Sequence, residues 1–154
     1  MVSYNAIGVA YDYNDMALNA SYAYMNLFEG NMCTESYADT SKDGSTTVEP
    51  TTGPENTWFR NHATGEVGCI QSDTTRQSVI GNVVGSLVSA GSDHYFGANL
   101  AGGVTNWGVF NGSAILPASL YLAAKPSFLG ATPWPVFGPG VANWGATNVL
   151  PAIP

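Results

Sequence analysis

Few residues in this chain carry obvious chemistry, and the most suggestive are Glu29, Arg60 and His62. A carboxylate, a guanidinium and an imidazole on one face would supply an acid, a cation and a base. The same residues have a structural reading, with Glu29 and Arg60 as an ion pair and Glu29 either hydrogen-bonded in a buried site or turned outward by a bulge at Gly30. Asp12, Asn14 and Asp15 make an oxygen-rich patch in Tyr-Asp-Tyr-Asn-Asp. Hard cations take oxygen ligands, so calcium is the one cofactor this patch would suit, although its spacing is not that of an EF-hand and turns use Asn and Asp equally. Trp58 and Trp107 offer flat faces for stacking on a sugar ring, or apolar bulk for packing. Cys33 and Cys69 lack zinc-site spacing and stand as either one disulfide or two buried thiols. No phosphate-binding Gly-rich loop and no Gly-x-Ser-x-Gly elbow occurs.

Composition removes several partner classes. The chain has 154 residues, four of them Lys or Arg and eleven Asp or Glu, for a net charge of −7. Nucleic-acid binding needs clustered cations, and so does adhesion to anionic membranes. Disorder is excluded by 45% hydrophobic and 12% aromatic content. Every apolar run is interrupted by Gly, Pro, Asn or Ser well before the roughly 18–20 residues of a membrane span. The opening Met-Val-Ser-Tyr-Asn has no basic and apolar leader, so no signal peptide is visible in this chain. After Asp93 come 61 residues in which only Lys125 is charged. Such a segment needs hydroxyls, amides or burial against something in place of charge.

The elements that must position these groups are short. Gly (18) and Pro (9) leave few uninterrupted windows. The best helical stretch is 13–27, though its Asn and Tyr are weak helix formers. Strands are expected at Ile7–Tyr11, Tyr24–Phe28, Thr57–Phe59, Val67–Ile70, Ser78–Ile80, Val83–Val88, Val104–Phe110 and Ser119–Leu122, joined by tight turns. Residues 39–55 are polar and broken by Pro and Gly, and read as a long surface loop.

A repeat organises these strands. Asn26-Leu-Phe-Glu-Gly-Asn31, Asn56-Thr-Trp-Phe-Arg-Asn61 and Gln77-Ser-Val-Ile-Gly-Asn82 share an opening amide, a bulky apolar pair and a closing Asn. Val109-Phe-Asn111 is a fourth match to the closing end. A parallel β-solenoid asks for this pattern, because each coil returns to the same azimuth about 4.8 Å higher. Asn31, Asn61 and Asn82 would then stack into a ladder in which each buried amide satisfies the next. Alignment on that Asn puts Glu29 at the place of Phe59 and Ile80, facing the core, and turns Arg60 outward.

The strings MNLFEGN (25–31), NTWFRNH (56–62) and SVIGNVVG (78–85) resemble the later coils of secreted right-handed parallel β-helix proteins of the pectate-lyase-like superfamily. The tail adds to this with Pro117, Ser119, Leu120, Tyr121, Leu122, Lys125 and Pro126, then Phe128, Trp134-Pro135 and Gly138-Pro139. It is similar to the C-terminal extension of a bacterial branch of that superfamily. The resemblance implies an all-β fold, a short right-handed parallel β-helix with an extended Pro-rich C-terminal tail, in an extracellular or cell-surface protein. Residues 1–154 form one domain on this reading: a cap over 1–24, coils over 25–112 with the loop 39–55, and the tail over 113–154. Relatives of this kind are much longer, so the chain looks like the C-terminal part of such a helix.

Two functions follow from the resemblance. One is a non-catalytic structural or carbohydrate-contacting β-helix, whose partners are polysaccharide or copies of itself in an oligomer or fibre. The other is a segment of a polysaccharide lyase or glycoside hydrolase. Neither the Asp clusters of the hydrolases nor the calcium-binding carboxylates of the lyases map onto this chain, which favours the first.

Overall fold

The computed structural model describes residues 16–19, 23–39, 53–69, 75–89 and 93–151. Eleven short strands appear there: β1 (Met16–Asn19), β2 (Leu27–Glu29), β3 (Met32–Cys33), β4 (Ser36–Asp39), β5 (Thr57–Phe59), β6 (His62–Cys69), β7 (Ser78–Ile80), β8 (Val83–Ser89), β9 (Tyr95–Gly97), β10 (Asn99–Ala101) and β11 (Val104–Asn106). The only helical elements among the described residues are 3-10 turns at Gly108–Phe110, Ser127–Leu129 and Ala142–Gly145. The fold is all-β, with strands paired in parallel throughout except at β10 and β11.

The strands form two sheets. One runs β2-β5-β7-β9, and the other β1-β4-β6-β8-β10-β11 with β3 also on β6. The chain leaves the first sheet and enters the second through a tight corner at Gly30, Arg60, Gly81 and Ala98, each with φ between 51° and 72°. A matching corner precedes the first sheet at Met25, Glu55, Arg76 and Asp93, with φ between 49° and 65°. The residue after every corner is the one that repeats. Three-residue strands between fixed corners leave no room for a helical period. Within the stretch 13–27, where the sequence suggests a helix, Met16–Asn19 is a strand and Leu27 begins another, Leu27–Glu29, and no described residue there is helical.

Strand alternation divides the side chains into an inner and an outer set. Phe28, Trp58, Val79 and Phe96 from the first sheet meet Cys33, Ala63, Val84 and Ala101 from the second in one core. Phe28 and Trp58 stack with centroids 5.4 Å apart. On the outer face, Met32, Val83 and Leu100 pack against Leu129, Val136, Phe137 and Leu150, with Trp134 and Trp144 alongside. Burying each of those larger side chains contributes roughly 1.5–3 kcal/mol, so the C-terminal segment is bound to the sheets as a second core. Ser119–Leu122 is irregular chain within that segment and not a strand.

The stack is closed at its C-terminal end. β11 turns back antiparallel on β10, and Trp107 O accepts the amide of Ala98. The 3-10 turn Gly108–Phe110 sits against Phe96 and Gly97, so closely that any side chain at Gly97 would strike Phe110.

Candidate functional site

The repeated amides build two buried columns. In the first, Asn31 donates both its backbone N–H and its Nδ2 to Asn61 Oδ1, at 2.9 and 3.0 Å. Asn61 does the same to Asn82 Oδ1, and Asn82 to Asn99 Oδ1. The remaining Nδ2 proton of each rung returns to a carbonyl of an earlier rung: Asn61 to Phe28 O, Asn82 to Trp58 O, Asn99 to Val79 O. Asn61 and Asn82 thus use two acceptor and two donor positions each, everything a carboxamide has. The rungs are 30, 21 and 17 residues apart.

The opening amides form the second column at the same intervals. Asn26 donates twice to Asn56 Oδ1, Asn56 N–H donates to Gln77 Oε1, and Gln77 N–H donates to His94 Nδ1 at 3.2 Å. The fourth rungs are therefore His94 and Asn99. Asn111 is not a rung: it lies exposed after the 3-10 turn, with φ 50°. A 17-residue coil closed by Ala-Asn and opened by an imidazole departs from the pattern in spacing and residue type together.

Glu29, Phe59 and Ile80 are register partners, as the closing Asn implies, but they do not face the core between the sheets. That side belongs to Phe28, Trp58 and Val79. The outer side is covered by the C-terminal segment, which buries Glu29 to 1% exposure. Glu29 Oε2 accepts the backbone N–H of Leu120 at 2.9 Å. Arg60 points away from the inter-sheet core and yet is only 3% exposed. Its Nε donates to Pro117 O, its Nη2 to Leu116 O, and its Nη1 to Phe137 O and Pro139 O, over 2.6–3.2 Å. Two separate stretches of the tail are gripped by one guanidinium, whose planar fork suits several carbonyls at once. Burial lowers its pKa to about 10, and the negative charge of Glu29 opposes that shift. Arg60 therefore remains a cation at neutral pH.

His62 stands in the outer column between Met32 and Val83. Its ring lies tilted on Phe137, 5.4 Å away. Burial lowers its pKa below 6.5, and Nδ1 makes no hydrogen bond. Glu29, Arg60 and His62 all lie under the same covering segment. The carboxylate and the guanidinium bind its backbone, and the imidazole packs on its aromatic ring.

The remaining candidates are dispersed. Trp58, a candidate sugar platform, has no exposed surface, and its Nε1 donates to Ser36 Oγ. The strand alternation that makes it a core residue leaves no face for a sugar. Trp107 is half-buried and tilted against Trp144 at 6.0 Å. Cys33 is buried opposite Ala63, and Cys69 is opposite Ala38, so the two are not register partners. Asp12, Asn14 and Asp15 lie outside the described residues. Among the described residues no three His, Cys, Asp or Glu gather as metal ligands, and no helix is long and apolar enough to cross a membrane. Sequence reasoning missed His94 and Asn99 as the fourth rungs, and it missed the acceptors of Arg60, which are backbone carbonyls and leave no trace in residue type.

Compared with known proteins, the chain matches no family model, no curated protein and no solved structure.

Proposed function

We propose that the chain is a short right-handed parallel β-helix with a structural, non-catalytic role in an extracellular or surface protein, where it assembles with copies of itself. One observation carries this: among the described residues, the buried acid and cation that the sequence offered as a reactive site, Glu29 and Arg60, are spent on the protein's own tail. Every hydrogen bond of Arg60 named above ends on a tail carbonyl, and Glu29 accepts a tail amide. A polysaccharide has no route to either group while that segment is in place. The two amide columns support the helical coiling, because intervals of 30, 21 and 17 residues bring equivalent amides into contact at two corners of each coil. The handedness and the extracellular setting rest on the resemblance of the coil and tail motifs.

The test is incubation with acidic and neutral polysaccharides, following new reducing ends for hydrolysis and the ultraviolet absorbance of unsaturated products for elimination. Neither signal should rise above a protein-free control. Turnover that Glu29→Gln abolishes while the fold persists would instead make the chain part of a lyase or hydrolase.

A further inference from the structure

One carboxamide of this chain is placed unlike those of the columns. Asn111 is the Asn that precedes a Gly, and no other Asn in the sequence does. Asn61, Asn82 and Asn99 are buried, bonded through their carboxamides, and followed by His62, Val83 and Leu100. Asn111 is exposed, and so are Gly112 and Ser113 after it. Among the described residues its carboxamide has no hydrogen-bond partner, and the backbone N–H of Gly112 has none either.

The turn that holds it is closed by long bonds. Asn111 N–H reaches Gly108 O at 3.4 Å, and Ser113 N–H reaches Phe110 O at 3.3 Å. Both lie beyond the usual span of roughly 2.7–3.2 Å for such bonds. With ψ at 40°, the Gly112 nitrogen points away from the Asn111 side chain. Bringing the two together requires the peptide between them to rotate. There is room for that, since a Cβ built on Gly112 would meet nothing within 4 Å, and glycine takes either sign of φ at little cost.

We propose that Asn111 is a self-modification site, where the chain's own backbone removes the side-chain amide. As the Gly112 N–H gives its proton to solvent base, the nitrogen bonds to Asn111 Cγ. The Cγ–Nδ2 bond breaks, and the leaving nitrogen takes a proton from water and departs as ammonia. A cyclic imide remains, and water opens it. Cleavage between the Gly112 nitrogen and Cγ gives Asp. Cleavage between that nitrogen and the Asn111 backbone carbonyl carbon gives an isoaspartyl link, in which the main chain runs through the side chain and gains one carbon. Either product takes the net charge from −7 to −8 and puts a carboxylate where only Lys125 is charged after Asp93. The isoaspartyl form also lengthens the path between two anchored points. Before it stand Trp107, whose O accepts Ala98 N–H at 3.3 Å, and Phe110 against Gly97. After it come Leu116 and Pro117, whose carbonyls accept from Arg60 at 3.2 and 2.9 Å. Bonds from a guanidinium are the stronger kind, so the turn that closes the end of the stack gives way first.

Ageing the full chain in mildly alkaline buffer tests this, with peptide mapping by mass spectrometry and labelling by an isoaspartyl methyltransferase. Conversion should reach Asn111 severalfold sooner than Asn106 or Asn143, which are also exposed but precede Trp. Its rate should rise in proportion to hydroxide, and the aged chain should elute later on anion exchange. Asn111→Gln should lose the conversion at this position, because its longer side chain must close a larger, less favoured ring. In the isoaspartyl fraction, hydrogen exchange at Ala98 should quicken severalfold while the backbone amides of Asn61 and Asn82 keep their protection. Conversion at Asn111 no faster than at Asn106 and Asn143 would overturn the proposal, as would a rate indifferent to pH. Unchanged exchange at Ala98 in a fraction that carries isoaspartate at position 111 would overturn the loosening of the end turn.

Discussion

Removing one interior rung should cost far more than its size suggests. In Asn61→Ala, the acceptor of Asn31 N–H and Asn31 Nδ2 disappears, and both donors are buried. Asn82 Oδ1 loses one of its two donors, and Phe28 O loses its side-chain partner. Each buried donor left without a partner costs about 1–3 kcal/mol. With two donors orphaned and some relaxation, the loss should be about 3–5 kcal/mol, against a total near 5–15 kcal/mol for a domain of this size. Urea unfolding followed by the four tryptophans measures it. For a urea slope near 2 kcal/mol/M, the midpoint should fall by about 1.5–2.5 M. Asn61→Asp keeps the shape and reverses the chemistry, because the new oxygen would face Phe28 O and Asn82 Oδ1. Its carboxyl pKa should rise on folding. The variant should therefore be most stable below about pH 3.9, where the unfolded chain is also protonated, and lose stability as pH climbs to the raised folded value. Asn111→Gly is the control, since that Asn is exposed and Gly accepts its positive φ. If Asn61→Ala cost no more than Asn111→Gly, the column would not be holding the coils together.

Three further outcomes follow from the site. Arg60→Lys replaces a fork that reaches four carbonyls with a single ammonium, so it should destabilise by about 2–4 kcal/mol, and hydrogen exchange at Leu120 should accelerate before that of the inner strands. Burial holds the pKa of His62 below 6.5, so its contribution to stability is complete above that value and is lost as pH falls through the folded pKa. His62→Gln should flatten that part of the stability–pH curve between neutral and mildly acidic pH, read as the difference between the two proteins. His94→Asn should be tolerated, because a carboxamide oxygen can take the Gln77 N–H as it does on every other rung. His94→Leu should cost about 1–3 kcal/mol by orphaning that donor, again by urea unfolding.

The spacing of Asn31, Asn61 and Asn82 was legible because a buried carboxamide satisfies itself only against another like it, so the residue type had to recur. The fourth coil was not legible, since an imidazole can accept a backbone N–H as well as an amide can, and Ala98 fills a corner where Gly or Arg stands elsewhere. Thr57–Phe59 and Ser78–Ile80 were readable as strands from their boundaries. Met16–Asn19 was not, because three or four residues cannot show a period of two against one of 3.6. The register of Glu29 with Phe59 was correct and its face was wrong. What covers it arrives from Leu120, 91 residues later, and no local pattern announces a backbone amide. The uncharged C-terminal stretch did announce burial, and Leu129, Val136, Phe137 and Leu150 supply it.

The central claim is that equivalent amides stack from coil to coil, and solution NMR of the amide-labelled chain tests it directly. Side-chain amide protons of Asn61 should show through-space contacts to those of Asn31 and Asn82, and Asn82 to Asn99, each pair about one strand spacing of 4.8 Å apart, with none to Asn111. Contacts from Asn82 to Asn111, or no contact between Asn61 and Asn82, would contradict the stacking.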